Sequence, residues 1–198
     1  SEAVTIGQLS DNLTEDDTDN NIVTVDDYTS FSKALKKVAS SVQKSIVSID
    51  TYEKGVDDFI NQKNSATETT GVVIGTVGSE YIILTNYNSI QGSDTVVVRF
   101  EEKTEVTAQI IGKDKESGMA LLSVKESSIP STERASLLSA KLGNSYKVSE
   151  GDIAIVAGKI NGITGAIDYC TVMNISTESG LDNSFQVMDI GLKCKEDD

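Results

Sequence analysis

From Ser45 onward the chain is a succession of short β-branched runs separated by turn residues, and this period restricts its fold more than any other feature. Ser45–Ile49, Gly71–Val77, Tyr81–Thr85, Thr95–Phe100, Glu105–Ile111 and Met119–Val124 each have the length and the Val/Ile/Thr content of a half-buried strand. Gly75, Gly78-Ser79, Gly92-Ser93 and the stretch Lys113–Gly118 supply turn chemistry. Lys54–Thr69 is polar and without period and reads as a surface loop. Six short strands with close turns predict a small barrel or sandwich. Ser127–Ala140, which holds the single proline, Pro130, breaks the rhythm and reads as a link to a second unit. That unit has strands near Ile153–Ala157, Ala166–Ile175 and Phe185–Asp189, punctuated by Gly158, Gly162, Gly165 and Gly180. Three or four strands are too few to close a barrel by themselves.

The front of the chain is different. Residues 1–30 hold eight acids and no Lys or Arg. Such a segment buries too little apolar surface to offset its ordering entropy, so residues 1–28 are expected to form an acidic, mobile leader. Ile22-Val23-Thr24-Val25 is its one strand-like run. Phe31, Ala34, Leu35, Val38 and Val42 then follow helical spacing, with Thr29 or Ser30 as the cap and Lys33, Lys36, Lys37 and Lys44 largely on the other face. A helix packed on its own domain is the expected reading, ahead of contact with a membrane surface. The expected organisation is therefore leader 1–28, helix plus first barrel 29–127, and linker plus partial second barrel 128–198.

Charge and composition exclude several functions. Net charge is 17 − 31 = −14, the wrong sign for displacing counterions from nucleic acid or for docking on anionic lipid. The chain has no histidine, so no His base, His metal ligand or His pH switch can come from it. Cys170 and Cys194 lack CxxC spacing; they read as a disulfide or as two thiols, not as a zinc or redox site. No metal or cofactor is expected. Asp114, Glu116 and Asp152 lack calcium-loop spacing, the acidic run Glu15–Asp19 reads as a solvated tail, and no motif builds a Ser–Lys dyad. Asn12 and Asn174 stand in glycosylation sequons, which matter only in a eukaryotic secretory setting. There is no apolar stretch of about 20 residues, so any membrane tether is expected outside this chain.

The order of segments resembles the HtrA/DegP-type protease domain of the trypsin-like superfamily. Ser45-Ile46-Val47-Ser48-Ile49 is similar to that family's opening strand, and Gly71–Ile74 with Tyr81–Asn86 to its "GSGVII … YILTN" hairpin. Lys113-Asp114 with Met119–Val124 resembles "G.D...DLALLKV". Leu142–Ser145 with Val148–Asp152 resembles "LGDS..L.VGD". Ala157–Gly162 stands in place of "IGNPLG" and Phe185–Asp189 in place of "FIQTDA". The match runs over about residues 35–198 in consistent order. It implies an all-β, chymotrypsin-like double Greek-key fold with an amphipathic helix in front and an incomplete second barrel.

The resemblance also assigns the triad positions. The family's His lies two residues after Leu-Thr-Asn, where this chain has Asn88. Its Asp precedes "LALL", where this chain has Gly118; its Ser lies eight residues after the Asp of "TDA", where this chain has Asp197. The oxyanion turn falls on Lys195 and Glu196. The expectation is a pseudoprotease that binds or scaffolds a peptide or protein, through strand addition at the second barrel, outside the cytoplasm. The alternatives are an active HtrA-like endopeptidase whose nucleophile region lies elsewhere, and a structural spacer.

Overall fold

A computed structural model describes residues 24–52, 65–100, 104–180 and 184–192. The chain divides into two compact units, the first ending at Lys36 and the second beginning at Lys37. Helix α1 (Val25–Gln43), which begins in the first, starts earlier than the expected cap at Thr29 or Ser30. Thr24 is the cap. Its Oγ1 accepts from the Asp27 N–H at 3.2 Å, and its own N–H donates to Asp27 Oδ2 at 2.9 Å. This reciprocal capping box satisfies two donors at once, and those bonds from Thr24 hold the Asp27 carboxyl below its usual range. The helix thus takes in Val25–Tyr28, which were expected in the leader; the rest of the leader, residues 1–23, lies outside the described residues. Within the second unit the helix buries Ala39, one position from the expected face, while Val38 and Val42 are exposed.

The remainder is a seven-stranded sheet and a three-stranded sheet. Strands β1 (Ile46–Tyr52), β2 (Ser65–Val77), β3 (Glu80–Asn86), β4 (Thr95–Phe100), β5 (Thr104–Thr107), β6 (Gln109–Asp114) and β7 (Met119–Lys125) are ordered β5-β4-β1-β2-β3-β7-β6, antiparallel throughout. The expected strand Glu105–Ile111 is broken at Ala108. Its first half pairs with β4, its second half with β7, and the Ala108 N–H donates to Val96 O at 2.9 Å. The sheet's two outer strands are therefore two halves of one bent run, and the sheet curls into an incomplete barrel. The inward row of each strand fills the enclosure: Val47 and Ile49, Val73, Ile83, Val96 and Val98, Leu122 and Val124 are all buried, with Phe100, Tyr87 and Ile129 completing the cluster.

A short helix, α2 (Ser131–Ser136), follows Pro130 in the linker, which crosses the barrel with backbone bonds from Leu138 N–H to Lys44 O and from Ala140 N–H to Val73 O. Strands β8 (Ile153–Ile160), β9 (Ile163–Ser179) and β10 (Ser184–Ile190) form the second sheet in the order β10-β9-β8. It does not close, as expected. Together the two sheets make a partial chymotrypsin-like double barrel. The β8–β9 turn is Asn161-Gly162, both with positive φ (51° and 78°). Asn-Gly is the strongest two-residue hairpin signal.

Strand β2 also differs from expectation. It begins at Ser65, inside the stretch read as a loop, and pairs with β1 from Tyr52↔Ser65 through Ile46↔Val72. Its charged and hydroxyl-bearing residues hide the strand because the polar partners of Glu68 and Thr70 lie on other elements.

Gly71 sits where the enclosure is full. A Cβ there would lie 2.6 Å from Ile49 Cδ1, 2.8 Å from Ile83 Cγ2 and 3.1 Å from Val47 Cγ2. Overpacking of this kind costs about 1–3 kcal/mol. Gly71→Ala is expected to lower the urea-unfolding stability by that amount, while Gly75→Ala, which meets open space, serves as the control.

Candidate functional site

Two of the three positions singled out from the sequence are neighbours in space. The β3–β7 register pairs Thr85 with Ala120 and Asn86 with Met119. One step beyond the ladder, the Tyr87 N–H donates to Gly118 O at 2.8 Å. Residues 30 positions apart in the chain are thus joined at one end of the strand pair, with Asn88 next to Tyr87. The buried Tyr87 and Ile90 anchor this turn, the Ile90 N–H donating to Tyr87 O at 3.1 Å. The Asn88 backbone N–H donates to Asn86 Oδ1 at 2.8 Å, and the Asn88 side chain is exposed.

Gly118 closes the turn after β6. Asp114 organises that turn by accepting from Ser117 Oγ at 2.7 Å and from the Glu116 N–H at 3.0 Å. Those bonds, the one from Ser117 foremost, keep the Asp114 carboxyl below its ordinary range. Gly118 has φ +68°, a conformation that costs a non-glycine residue about 1–2 kcal/mol. The pair offers little for acid–base chemistry. An asparagine amide has no basic nitrogen at neutral pH, and glycine has no side chain. Asp197, Lys195 and Glu196 lie outside the described residues.

A second set of polar groups lies on the outer face of β1, β2 and β4, where β8 packs. Sequence reading missed it, because Glu68 fell in the supposed loop and Asp50 stood just beyond the expected end of β1. The ladder sets Asp50 opposite Glu68 and Ser48 opposite both Arg99 and Thr70. Two carboxylates directly across a strand pair repel one another. Arg99 answers both: its Nη2 donates to Glu68 Oε1 at 2.6 Å and lies 3.6 Å from Asp50 Oδ2. From the second sheet, Lys159 Nζ reaches Glu68 Oε2 at 3.2 Å, and Thr164 Oγ1 donates to Glu68 Oε1 at 3.0 Å.

The two acids respond in opposite directions. Burial pushes the Asp50 carboxyl up, against the pull of Arg99 and with the help of the Glu68 charge. Glu68 is also desolvated, but the bonds from Lys159 and Thr164 and the charges of Lys159 and Arg99 outweigh that and hold it down. Tyr52 on the same strand is pushed up, first by burial and then by Asp50 and Glu105.

Among the described residues no cluster of His, Cys, Asp and Glu could hold a metal ion. Cys170 is a buried free thiol 3.8 Å from Ala154 O, and Cys194 lies outside the described residues. Among the described residues no helix is long and apolar enough to cross a membrane.

With the curled sheet, the half-open second sheet and the paired turns at β3 and β7 in place, the comparisons agree on one class. Residues 69–191 match the model of the trypsin-like peptidase domain. The chain belongs to this family, and its fold is that of the HtrA/DegP-type protease domain. It is 30% identical over 133 residues to a serine protease Do-like HtrA of Lactobacillus helveticus, covering 62% of this chain and 30% of that protein. It is 27% identical over 113 residues to a probable periplasmic serine protease do/HhoA-like of Haemophilus influenzae, covering 57% and 22%. Among solved structures it is similar to the HtrA-type protease AlgW with tripeptide, at TM-score 0.54 and 18% identity, covering 73% of this chain and 42% of that one. In each of these cases the chain spans less than half of the protein it matches.

A buried acid whose pKa is raised takes up its proton more readily in the folded than in the unfolded state. Its contribution to stability therefore falls as pH rises from the ordinary aspartate value of 3.8 through the higher folded value. Asp50→Asn removes that loss. The variant is expected to be at least as stable as the parent at neutral pH, with the difference between them vanishing towards about pH 3, below both values. Urea midpoints measured across that range check this; a variant clearly weaker at neutral pH would mean that the attraction of Arg99 outweighs burial.

Proposed function

We propose that this chain is a catalytically inactive homologue of the trypsin-like serine proteases, acting outside the cytoplasm as a peptide- or protein-binding domain. The observation that carries the reading is the absence of histidine from all 198 residues. A serine hydroxyl in this fold needs a base to accept its proton, and the residue at the base position by motif is Asn88. Gly118 provides no carboxylate to orient an imidazolium, and Asp197, with Lys195 and Glu196 before it, would put negative charge where an oxyanion must develop. Loss of a triad as a unit removes about a factor of 10⁶ from turnover.

Binding does not need the triad. A related fold has been solved as an HtrA-type protease with tripeptide. In this chain β8 and β10 each have one edge without a strand partner among the described residues, and an open edge accepts a further strand through main-chain hydrogen bonds. Ile153, Tyr169 and Met173 add exposed apolar surface on the same sheet. Relatives named as periplasmic support the extracytoplasmic location. A membrane tether, if the protein uses one, belongs to chain outside these residues.

Incubation with a broad serine-directed phosphonate and with casein is expected to give neither labelling nor cleavage; specific labelling of one serine would overturn the inactive reading. Binding is tested separately. Extended apolar peptides titrated against the protein are expected to saturate, and a proline placed at alternate peptide positions is expected to abolish binding, because it removes main-chain donors. Affinity that is indifferent to proline would exclude strand addition.

A further inference from the structure

We propose that the second sheet is held on the first by a carboxylate latch centred on Glu68, and that neutralising this one group lets the second sheet open while the first stays folded. The reason lies in which face β8 covers. The buried apolar cluster is confined to residues between Val47 and Ile129, all in the first sheet and its linker. The second sheet buries only Ile160, Cys170 and Val172 among its described large side chains. Its strand β8 lies against β1 and β2, whose outer row sets Ile46 and Val72 beside Ser48, Asp50, Glu68 and Thr70, continued on β4 by Arg99 and the buried Val97. Apolar residues share this face with a polar patch, and the hydrogen bonds and charge that join the two sheets gather at Glu68.

Glu68 collects most of that join. Its two oxygens take Arg99 from β4, Lys159 from β8 and Thr164 from β9, so it is bonded to both sheets at once. The backbone supports it. The Lys159 N–H donates to Thr70 Oγ1 at 2.8 Å, Lys159 Nζ also donates to Glu68 O at 3.3 Å, and Gly158 packs so closely that a Cβ would lie 2.8 Å from Thr70 Oγ1. A cavity of about 180 Å³ remains between the sheets, bordered by Val47, Ser48 and Arg99 on one side and by Gly158, Thr164 and Gly165 on the other. Imperfect packing at the join is what a separable contact requires.

The other charged groups facing Glu68 set its response to acid. Asp50 on β1 and Glu68 repel one another, Glu105 on β5 faces Asp50, and Arg99 and Lys159 attract Glu68. The sign follows. A carboxylate held below its ordinary value of 4.5 contributes stability above that value and loses it as pH falls through the lower folded value. Protonation of Asp50, whose carboxyl is held high by burial, relieves the repulsion and leaves Arg99 to Glu68. The latch therefore holds until Glu68 itself is protonated.

Hydrogen exchange read by mass spectrometry on the full chain tests this. In Glu68→Gln at neutral pH, amides of Ile153–Ile160 and Ile163–Val172 are expected to lose roughly tenfold protection, the size of one charge-assisted hydrogen bond, while Ile46–Tyr52 and Met119–Lys125 keep theirs. Lys159→Met and Thr164→Val, which leave Glu68 in place, are expected to reproduce the pattern more weakly and carry the test if Glu68→Gln does not fold. Equal loss of protection in both sheets, or no loss in either, overturns the proposal.

Discussion

Strand β1 has to satisfy two environments at once, and the rest of the molecule is arranged around that demand. Its inward residues Val47 and Ile49 are fully enclosed by the curled first sheet. Its outward residues Ser48 and Asp50 are covered by the second. Covering an apolar face needs only shape, but covering Asp50 needs compensation for a desolvated charge. Arg99 is that compensation, and it is shared with Glu68 because β2 extends far enough towards its N-terminus to bring Glu68 opposite Asp50. The length of β2, the placement of β8 and the charge pattern of the seam are thus one constraint seen from three elements.

The first sheet is stable for an ordinary reason. Its seven strands curl around a continuous buried cluster, and its two outer strands are the halves of one bent run. The second sheet has no such cluster. It has two open edges among the described residues, a half-exposed apolar face and a join whose hydrogen bonds and charge gather at Glu68. Among the described residues the first sheet wraps a continuous apolar cluster and the second stays open on both sides.

The site region follows the same logic. Asn88 and Gly118 are held together by the β3–β7 ladder and the Tyr87–Gly118 bond, so the scaffold that brings two distant positions side by side is present. What occupies the scaffold is an amide and a hydrogen atom. Geometry is set by backbone pairing and by the buried Tyr87 and Ile90, whereas acid–base capacity is set by the side chains alone, so one can persist without the other.

The sequence by itself determined the strand-rich class, nearly all the strand positions, the open second sheet and the absence of a histidine base. Each depends on local period or on simple presence. Tertiary structure decided the rest. Ser65–Thr70 carries no apolar alternation, and its Glu68 meets charges from β4 and β8; only its partners make it a strand. The break at Ala108 is invisible locally, since both halves of the run look like one strand until β4 and β7 claim them separately. The Asn161-Gly162 turn lies in the gap left between the expected strands Ile153–Ala157 and Ala166–Ile175, both of which extend to meet it. Helix α1 begins at Thr24 because a side-chain bond to Asp27 caps it, a signal short enough to be lost in an acidic run. Local rules end where a residue's environment is supplied by elements 31 to 96 positions away, as for Glu68 with Arg99, Lys159 and Thr164, and there only the folded chain decides.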